Sequence, residues 1–244
     1  MRNPLPQHIA IIMDGNRTWA KNNGISTIKG HDKGLDVAKE ICIYCNHIGV
    51  KNLTLYAFSV QNWTRPKVEI DALFSLFIDF FDNKSDFFHQ HKMKFNPIGR
   101  IDKLPAAIIK KVNKLKKETC ENLGSCINVA INYGGREEMV DTTRKIIEDV
   151  ISVNSNAEQN KKLESINEEV IKNNSYLPVI PEPELLIRTG GHSRVSNFLL
   201  WHIAYSEIDI CNKLWPDFNS NDLEESINKY KCVDRKFGGS SKND

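Results

Sequence analysis

Asp14 stands where a short β-type apolar run, His8–Met13, gives out and a Gly15-Asn16-Arg17 step leads into a helix-forming stretch. The first turn of a helix offers unpaired N–H groups and the positive end of its dipole to an anion, and an adjacent carboxylate can hold a divalent cation against that anion. Strand, carboxylate and anion cradle, in that order, outline a diphosphate–metal site. The same order also suits a plain turn in which Asp14 caps the next helix. Two later blocks bear on the choice. Arg188-Thr189-Gly190-Gly191-His192-Ser193-Arg194-Val195-Ser196-Asn197 offers two guanidinium forks, hydroxyls and a flexible Gly-Gly step, a composition suited to a second phosphate-bearing ligand. Ser59-Val60-Gln61-Asn62-Trp63-Thr64-Arg65-Pro66 adds another arginine, an amide and an aromatic ring. Singly, each arginine reads as a surface charge. Three loops that each follow a strand, gathered on one edge of a sheet, read as a site for two anions.

The elements that must position these loops follow from the hydrophobic pattern. Apolar, β-branched runs at His8–Met13, Asn52–Phe58, Met93–Ile98, Ile127–Ile131, Leu185–Arg188 and Ser206–Cys211 alternate with helical patterns at Gly30–Ile48, Val68–His91, Lys103–Glu121, Gly135–Val153, Leu163–Asn174 and Ser220–Arg235. Strands alternating with helices predict an α/β fold with a mostly parallel sheet covered on both faces. The polar stretch Ser152–Asn174 reads as a surface excursion, and Pro178–Pro183 as the connection into the fifth strand. The Val68–His91 segment carries Phe74, Phe77, Phe80, Phe81, Phe87 and Phe88 on one arc, with Asp79, Asp82 and Asp86 opposite. That face packs a core or walls an apolar tunnel, and the aspartates read as a solvated face rather than a metal site.

With 244 residues the chain suits one large domain, and its formal net charge of +2 shows no polyanion-binding surface. Nucleic acid is therefore not an expected partner. No apolar run has the length of a membrane span, and the N-terminus lacks a signal-peptide pattern, so the chain reads as cytosolic. Of the six cysteines, Cys42 and Cys45 form a CxxC pair, but they fall on the apolar face of a helical pattern with Leu35, Val37, Ala38 and Ile41 and read as small core residues.

The segments MDGNRTWA, FSVQNWTRP, NYGGRE, RTGGHSRVSNFLLW, AYSEI, LWPDF and DRKFGG resemble, in order and spacing, the cis-prenyltransferases, and most closely the bacterial undecaprenyl diphosphate synthases. The resemblance runs from about His8 to Gly239. It implies a single domain over 1–244 with a flexible tail at 240–244, a six-stranded sheet flanked by helices, and a hydrophobic tunnel. It also implies a homodimer that uses Mg²⁺ to join isopentenyl diphosphate repeatedly to an allylic starter such as farnesyl diphosphate, with cis double bonds and a polyprenyl diphosphate product. Release of a lipid product implies transient, peripheral contact with a membrane.

Carried over residue by residue, the resemblance makes Asp14 the carboxylate at the Mg²⁺–diphosphate junction and Gly15, Asn16, Arg17 and Thr18 the cradle of the allylic diphosphate. Trp19 would support that loop, and Thr27, His31 and Arg65 would lie near the same diphosphate. Asn62 takes the position associated with proton loss, flanked by Ser59 and Trp63. Arg188, Arg194 and Ser196 would hold isopentenyl diphosphate. Glu207, a second metal-associated carboxylate, and Arg235–Gly239 would reach toward the partner subunit's site. Thr18 and Thr27 stand where relatives usually carry arginine, Gln61 replaces a frequent glutamate, and His192-Ser193 replaces a frequent Glu-His. These departures leave two alternatives beside the leading reading: a short-chain or irregular coupling enzyme, and a weakly catalytic dimer partner.

Overall fold

The computed structural model describes residues 3–234. The expected contributions of Arg235–Gly239 and of the 240–244 tail lie outside the described residues. Six strands, β1 (His8–Ile12), β2 (Asn52–Ser59), β3 (Lys94–Ile98), β4 (Cys126–Tyr133), β5 (Leu185–Arg188) and β6 (Glu207–Ile210), form one sheet in the order β3-β4-β2-β1-β5-β6. Every pairing is parallel. The helices are α1 (Asn16–Asn22), α2 (Thr27–Ile48), α3 (Lys67–Asp79), α4 (Phe87–Gln90), α5 (Ala106–Thr119), α6 (Gly135–Ile151), α7 (Asn156–Glu164), α8 (Glu168–Asn174) and α9 (Ser220–Cys232).

Alternation along the strands assigns the two faces. Ile9 and Ile11 of β1, Leu53 and Leu55 of β2 and Leu185 and Ile187 of β5 belong to the larger core, which α2, α3, α5 and α9 cover. Ala10, Ile12, Leu186 and Ala130 point the other way, into a smaller cluster with Leu177, Phe198 and Leu199. Cys42 and Cys45 sit in the larger core, where burial pushes the Cys45 thiol up to about 12 and Cys42 up as well. They behave as apolar residues, as their place in the helical pattern implies.

Two helices differ from the sequence pattern, each for a local reason. The Phe-rich segment is not one helix: α3 widens into a π-type turn at Phe80–Lys84 before α4 begins. There Ser85 Oγ donates to the Phe81 carbonyl at 2.9 Å, and Lys84 reaches Asp32 of α2 at 2.7 Å. The extra residue turns Phe80, Phe81, Phe87 and Phe88 together onto one cavity. Asp79 and Asp82 are ion-paired with Lys84 and Lys111, in keeping with a polar face rather than a metal site. The expected Leu163–Asn174 helix is two, because Asn167 Oδ1 accepts from Val170 N at 3.0 Å and starts α8 afresh.

A row of polar side chains, buried at His8, Thr54 and Asn128 and partly exposed at Asn96, crosses the second face: His8 Nε2 meets Thr54 Oγ1 at 2.6 Å, Asn128 Nδ2 donates to Thr54 Oγ1 at 3.1 Å, and Asn96 Nδ2 donates to Asn128 Oδ1 at 2.7 Å. Burial lowers the His8 pKa from 6.5 to about 4, with a smaller contribution from His202, against the opposing hydrogen bond to the Pro181 carbonyl. Folded His8 stays neutral while the unfolded chain takes up a proton. Its stabilisation is therefore complete above pH 6.5 and lost as pH falls toward 4, by up to about 3 kcal/mol at about 1.36 kcal/mol per unit. Urea unfolding of wild type and His8→Gln should show the stability gap between them shrinking by that order across this window; a constant gap would mean that His8 titrates normally in the fold.

Candidate active site

Ile12 and Arg188 are register partners on neighbouring strands, so the chain leaves β1 and β5 at the same height. Just beyond, Arg188 Nη2 donates to Asp14 Oδ2 at 2.6 Å; the arginine side chain is 4% exposed and the aspartate 34%. Nη1 of the same guanidinium donates to Ser196 Oγ at 2.7 Å and to the Arg194 carbonyl. One buried side chain thus joins the Asp14 turn to the 194–196 loop. The Asp14 carbonyl accepts from Trp215 N at 3.0 Å and Thr189 Oγ1 at 2.7 Å. Gly15 follows at φ +116°, and a Cβ there would lie 2.9 Å from Leu214; conformation and contact both call for glycine. α1 then starts with no side chain capping its first turn.

Two pockets meet at this turn. The first is lined by Asp14, Gly15, Asn16, Arg17, Thr18, His31, Asn62 and Arg65. The second holds Asp14, Ser59, Asn62, Arg188, Arg194 and Ser196. Asp14, Asn62, Met13 and Tyr56 line both. In the first pocket His31 Nε2 and Asn16 Oδ1 are buried without a hydrogen-bond partner among the described residues. Burial, with Arg65 and Arg17 alongside, lowers the His31 pKa to about 4, so it is neutral near pH 7. Arg65 Nη1 pairs with Glu69 Oε1 at 3.1 Å, and Arg17 Nε approaches the same oxygen at 3.9 Å. Ser59 N donates to Asn62 Oδ1 at 2.9 Å, which fixes the amide at the junction.

Trp19, Thr27, Trp63 and Glu207 line neither pocket. Trp19 Nε1 donates to Asp217 at 2.7 Å and so ties α1 to the Trp215–Asp217 turn. Thr27 begins α2. Trp63 Nε1 donates to Asn132 at 2.7 Å, and its ring packs on Phe58 and Phe74. Glu207 opens β6, three residues before the level of Arg188 and about 10 Å along the strand, at the opposite end of the sheet. Within one chain it does not approach Asp14.

Residues that the sequence reading passed over also shape the site. Glu69, in the first turn of α3, meets the extended Arg65 that precedes the helix. Arg136 lines the second pocket. Tyr56 stacks on Phe198 with ring centroids 4.4 Å apart and donates toward the Tyr133 and Ser196 carbonyls at 3.3 and 3.4 Å. Nothing in the local pattern of a β2 residue marks it for that place.

Behind the first pocket lies an apolar cavity of about 60 Å³, and the two share Met13, Leu35, Ala38, Ala57 and Phe77. Phe80, Phe81, Phe87 and Phe88 line the cavity; Phe74 does not. Ser125, which the resemblance to the cis-prenyltransferases sets near the tunnel floor, does not line it either; its hydroxyl donates to the Val50 carbonyl. No cluster of three metal-binding side chains occurs among the described residues. A magnesium ion held by one carboxylate and substrate phosphates needs no such cluster. Asp14 fits that requirement, because Oδ1 accepts no hydrogen bond among the described residues while Oδ2 faces Arg188.

Comparison with known proteins is consistent across sequence and structure. Residues 12–238 match a family model described as "Putative undecaprenyl diphosphate synthase". The "Isoprenyl transferase" of Clostridium tetani is 41% identical over 96% of this chain and 90% of its own, and that of Thermotoga maritima 40% identical over 96% and 97%. Lavandulyl diphosphate synthase from Lavandula x intermedia, solved with dimethylallyl diphosphate, superposes with a TM-score of 0.90 at 33% identity, covering 96% of this chain and 99% of that one. A probable undecaprenyl diphosphate synthase from Campylobacter jejuni gives a TM-score of 0.78 at 29% identity, covering 97% and 100%.

The unpartnered His31 provides a test of the first pocket. An anion there favours the imidazolium and raises its pKa from about 4. Binding of inorganic diphosphate at pH 5.5 should then take up protons, and binding at pH 8 should not. Calorimetry in buffers of different ionisation enthalpy reads the uptake, and His31→Gln should remove the histidine's part of it. Because diphosphate's own ionisation is common to both proteins, equal proton exchange in wild type and His31→Gln at pH 5.5 would remove His31 from the anion site.

Proposed function

Because the chain belongs to the undecaprenyl diphosphate synthase family of prenyl-transferring enzymes, we propose that it adds isopentenyl diphosphate stepwise, in cis, to an allylic diphosphate of the farnesyl type. The product is a polyprenyl diphosphate, and undecaprenyl diphosphate is the leading candidate. The observation that carries this reading is the pair of pockets sharing Asp14 and Asn62: two anionic substrates placed in them would face each other across one carboxylate.

In this assignment the allylic diphosphate occupies the first pocket, with Arg17, Arg65, His31 and the first-turn N–H groups of α1 around it and its hydrocarbon tail directed toward the apolar cavity. Isopentenyl diphosphate occupies the second, on Arg188, Arg194 and Ser196. The alkene of isopentenyl diphosphate attacks the allylic carbon, and the C–O bond breaks with its electron pair leaving on the diphosphate. The resulting cation then loses a proton to form the new double bond. Charge grows on the departing diphosphate, so pre-placed N–H donors and guanidinium groups lower the barrier. Mg²⁺ bound at Asp14 would neutralise part of the same charge. Asn62, held by Ser59 and without basicity near neutral pH, orients the reacting groups; the departing diphosphate is the proton acceptor. Thr18 leaves the first pocket with fewer charges than relatives carry, and Glu69 offsets part of what Arg17 and Arg65 supply.

A homodimer is part of this proposal. Val140, Ile147 and Ile151 form an exposed stripe on α6 at helical spacing, and Glu207, distant from Asp14 in its own chain, becomes a metal-associated residue only across such an interface. No helix among the described residues is long and apolar enough to cross a membrane; a cytosolic enzyme that meets the bilayer to release its product accommodates that.

A second reading, a short-chain or irregular coupling enzyme, rests on the apolar cavity. At about 60 Å³ the cavity is small beside a long prenyl chain, so a long product requires the Phe-lined wall to yield. Thin-layer analysis of products from radiolabelled isopentenyl diphosphate and farnesyl diphosphate separates the readings. Undecaprenyl-range products that need Mg²⁺ are expected, and they should lengthen in Phe77→Ala or Phe81→Ala. A single coupling step would establish the second reading instead. Asp14→Asn should lower turnover at least about a hundredfold. It is a cleaner variant than Asp14→Ala, which strands the buried Arg188 charge at a cost below the roughly 3–5 kcal/mol of a fully buried pair, since Asp14 is partly solvated. Near-wild-type turnover in Asp14→Asn would defeat the assignment.

A further inference from the structure

α6 begins directly after β4, at Gly134-Gly135, and its first N–H groups are already occupied. Gly135 N donates to the Asn197 carbonyl at 2.7 Å, and Arg136 N donates to Asn197 Oδ1 at 2.9 Å. Asn197 Nδ2 completes the clamp on Glu137 Oε2 at 2.9 Å. The approach is close: a Cβ at Gly134 would stand 2.7 Å from Asn197 Nδ2, and one at Gly135 would stand 2.8 Å from Leu200 Cγ. Asn197 holds φ at +62°, between Ser196 at +48° and Leu199 at +47°. A non-glycine loop kept in the left-handed region stores strain, and such strain gathers at functional sites.

The clamp has a chemical consequence. It sets the start of α6 against the second pocket, so that Arg136 lines the same space as Arg188, Arg194 and Ser196. The Arg188 charge is matched by Asp14. Arg136 and Arg194 have no ion-pair partner among the described residues, and Glu137 is turned into Asn197. While Arg188 stays paired with Asp14, Arg194 alone leaves the pocket short of free positive charge for a multiply charged diphosphate, and Arg136 supplies a further guanidinium in bidentate form. We propose that Arg136 is a third diphosphate-binding arginine of the second pocket and that Asn197 is the positioning residue that brings it there. The proposal rests on the assignment of that pocket to isopentenyl diphosphate.

Steady-state kinetics on the full chain, varying each substrate in turn, test it, with Arg194→Ala as the reference for the pocket. Arg136→Ala should raise the KM for isopentenyl diphosphate about tenfold or more, leave that for farnesyl diphosphate and the melting temperature unchanged, and recover in part as Arg136→Lys. Asn197→Ala should raise the same KM, and Arg136→Ala should add little on top of it. If Asn197→Ala does not fold, Asn197→Asp paired with Glu137→Gln keeps both the acceptor for Arg136 N–H and a donor–acceptor contact at position 137, and Arg136→Ala should then raise the KM nearly as much as it does in wild type. A normal KM in Arg136→Ala beside a raised one in Arg194→Ala overturns the role of Arg136, as do equal effects on both substrates. Fully additive effects overturn the positioning role of Asn197. A normal KM in Arg194→Ala means instead that the pocket does not hold isopentenyl diphosphate, and the functional reading itself fails.

Discussion

The ion pair between Asp14 and Arg188 is the constraint around which the rest of the site is arranged. Arg188 is nearly inaccessible to solvent, and a guanidinium in that position requires partners for its charge; both terminal nitrogens have them, while Nε has none among the described residues. Asp14 takes one end, while Ser196 Oγ and the Arg194 carbonyl take the other. Loops far apart in sequence are thereby fixed to one another by charge rather than by apolar packing. An anion entering the second pocket competes for the same guanidinium. Resting neutrality and readiness for phosphate come from one contact.

Packing beneath the pair explains why it stays where it is. The Trp215–Asp217 turn closes the floor: its backbone N–H holds the Asp14 carbonyl, Trp215 Nε1 donates to the Gly34 carbonyl at 2.8 Å, and Asp217 takes Trp19. The sheet order supplies the other half of the reason. β1 lies between β2 and β5, so the loops that follow these three central strands open on one edge. The late segment LWPDF is thus a structural support for a carboxylate two hundred residues earlier in the chain, a role its composition alone did not disclose.

Much of this was legible in the residues. The alternation of β-branched runs with helical patterns located all the strands and the parallel sheet, because buried parallel strands have a strong compositional signature. The convergence of Asp14, Asn62, Arg65, Arg188, Arg194 and Ser196 followed from their positions after strands. What was not legible depended on contacts across the sequence. The π-type turn at Phe80–Lys84 needs Lys84 to find Asp32 on α2, and the break before α8 turns on a single capping asparagine. The support expected of Trp19 takes Asp217 as its partner, which its own segment does not name, and the place of Trp63, away from the pockets, depends on Asn132. Tyr56 and Arg136 enter the site only once β2, β4 and the 194–200 loop are assembled.

A crystal structure with a non-reactive thio analogue of farnesyl diphosphate, isopentenyl diphosphate and a divalent metal bound together tests the central claim most directly. The account predicts one diphosphate between the start of α1, His31 and Arg65, the other on Arg188, Arg194 and Ser196, and the Asp14 carboxylate between them. Both diphosphates in a single pocket, or an Asp14 still paired with Arg188 and remote from metal and phosphate alike, would contradict it.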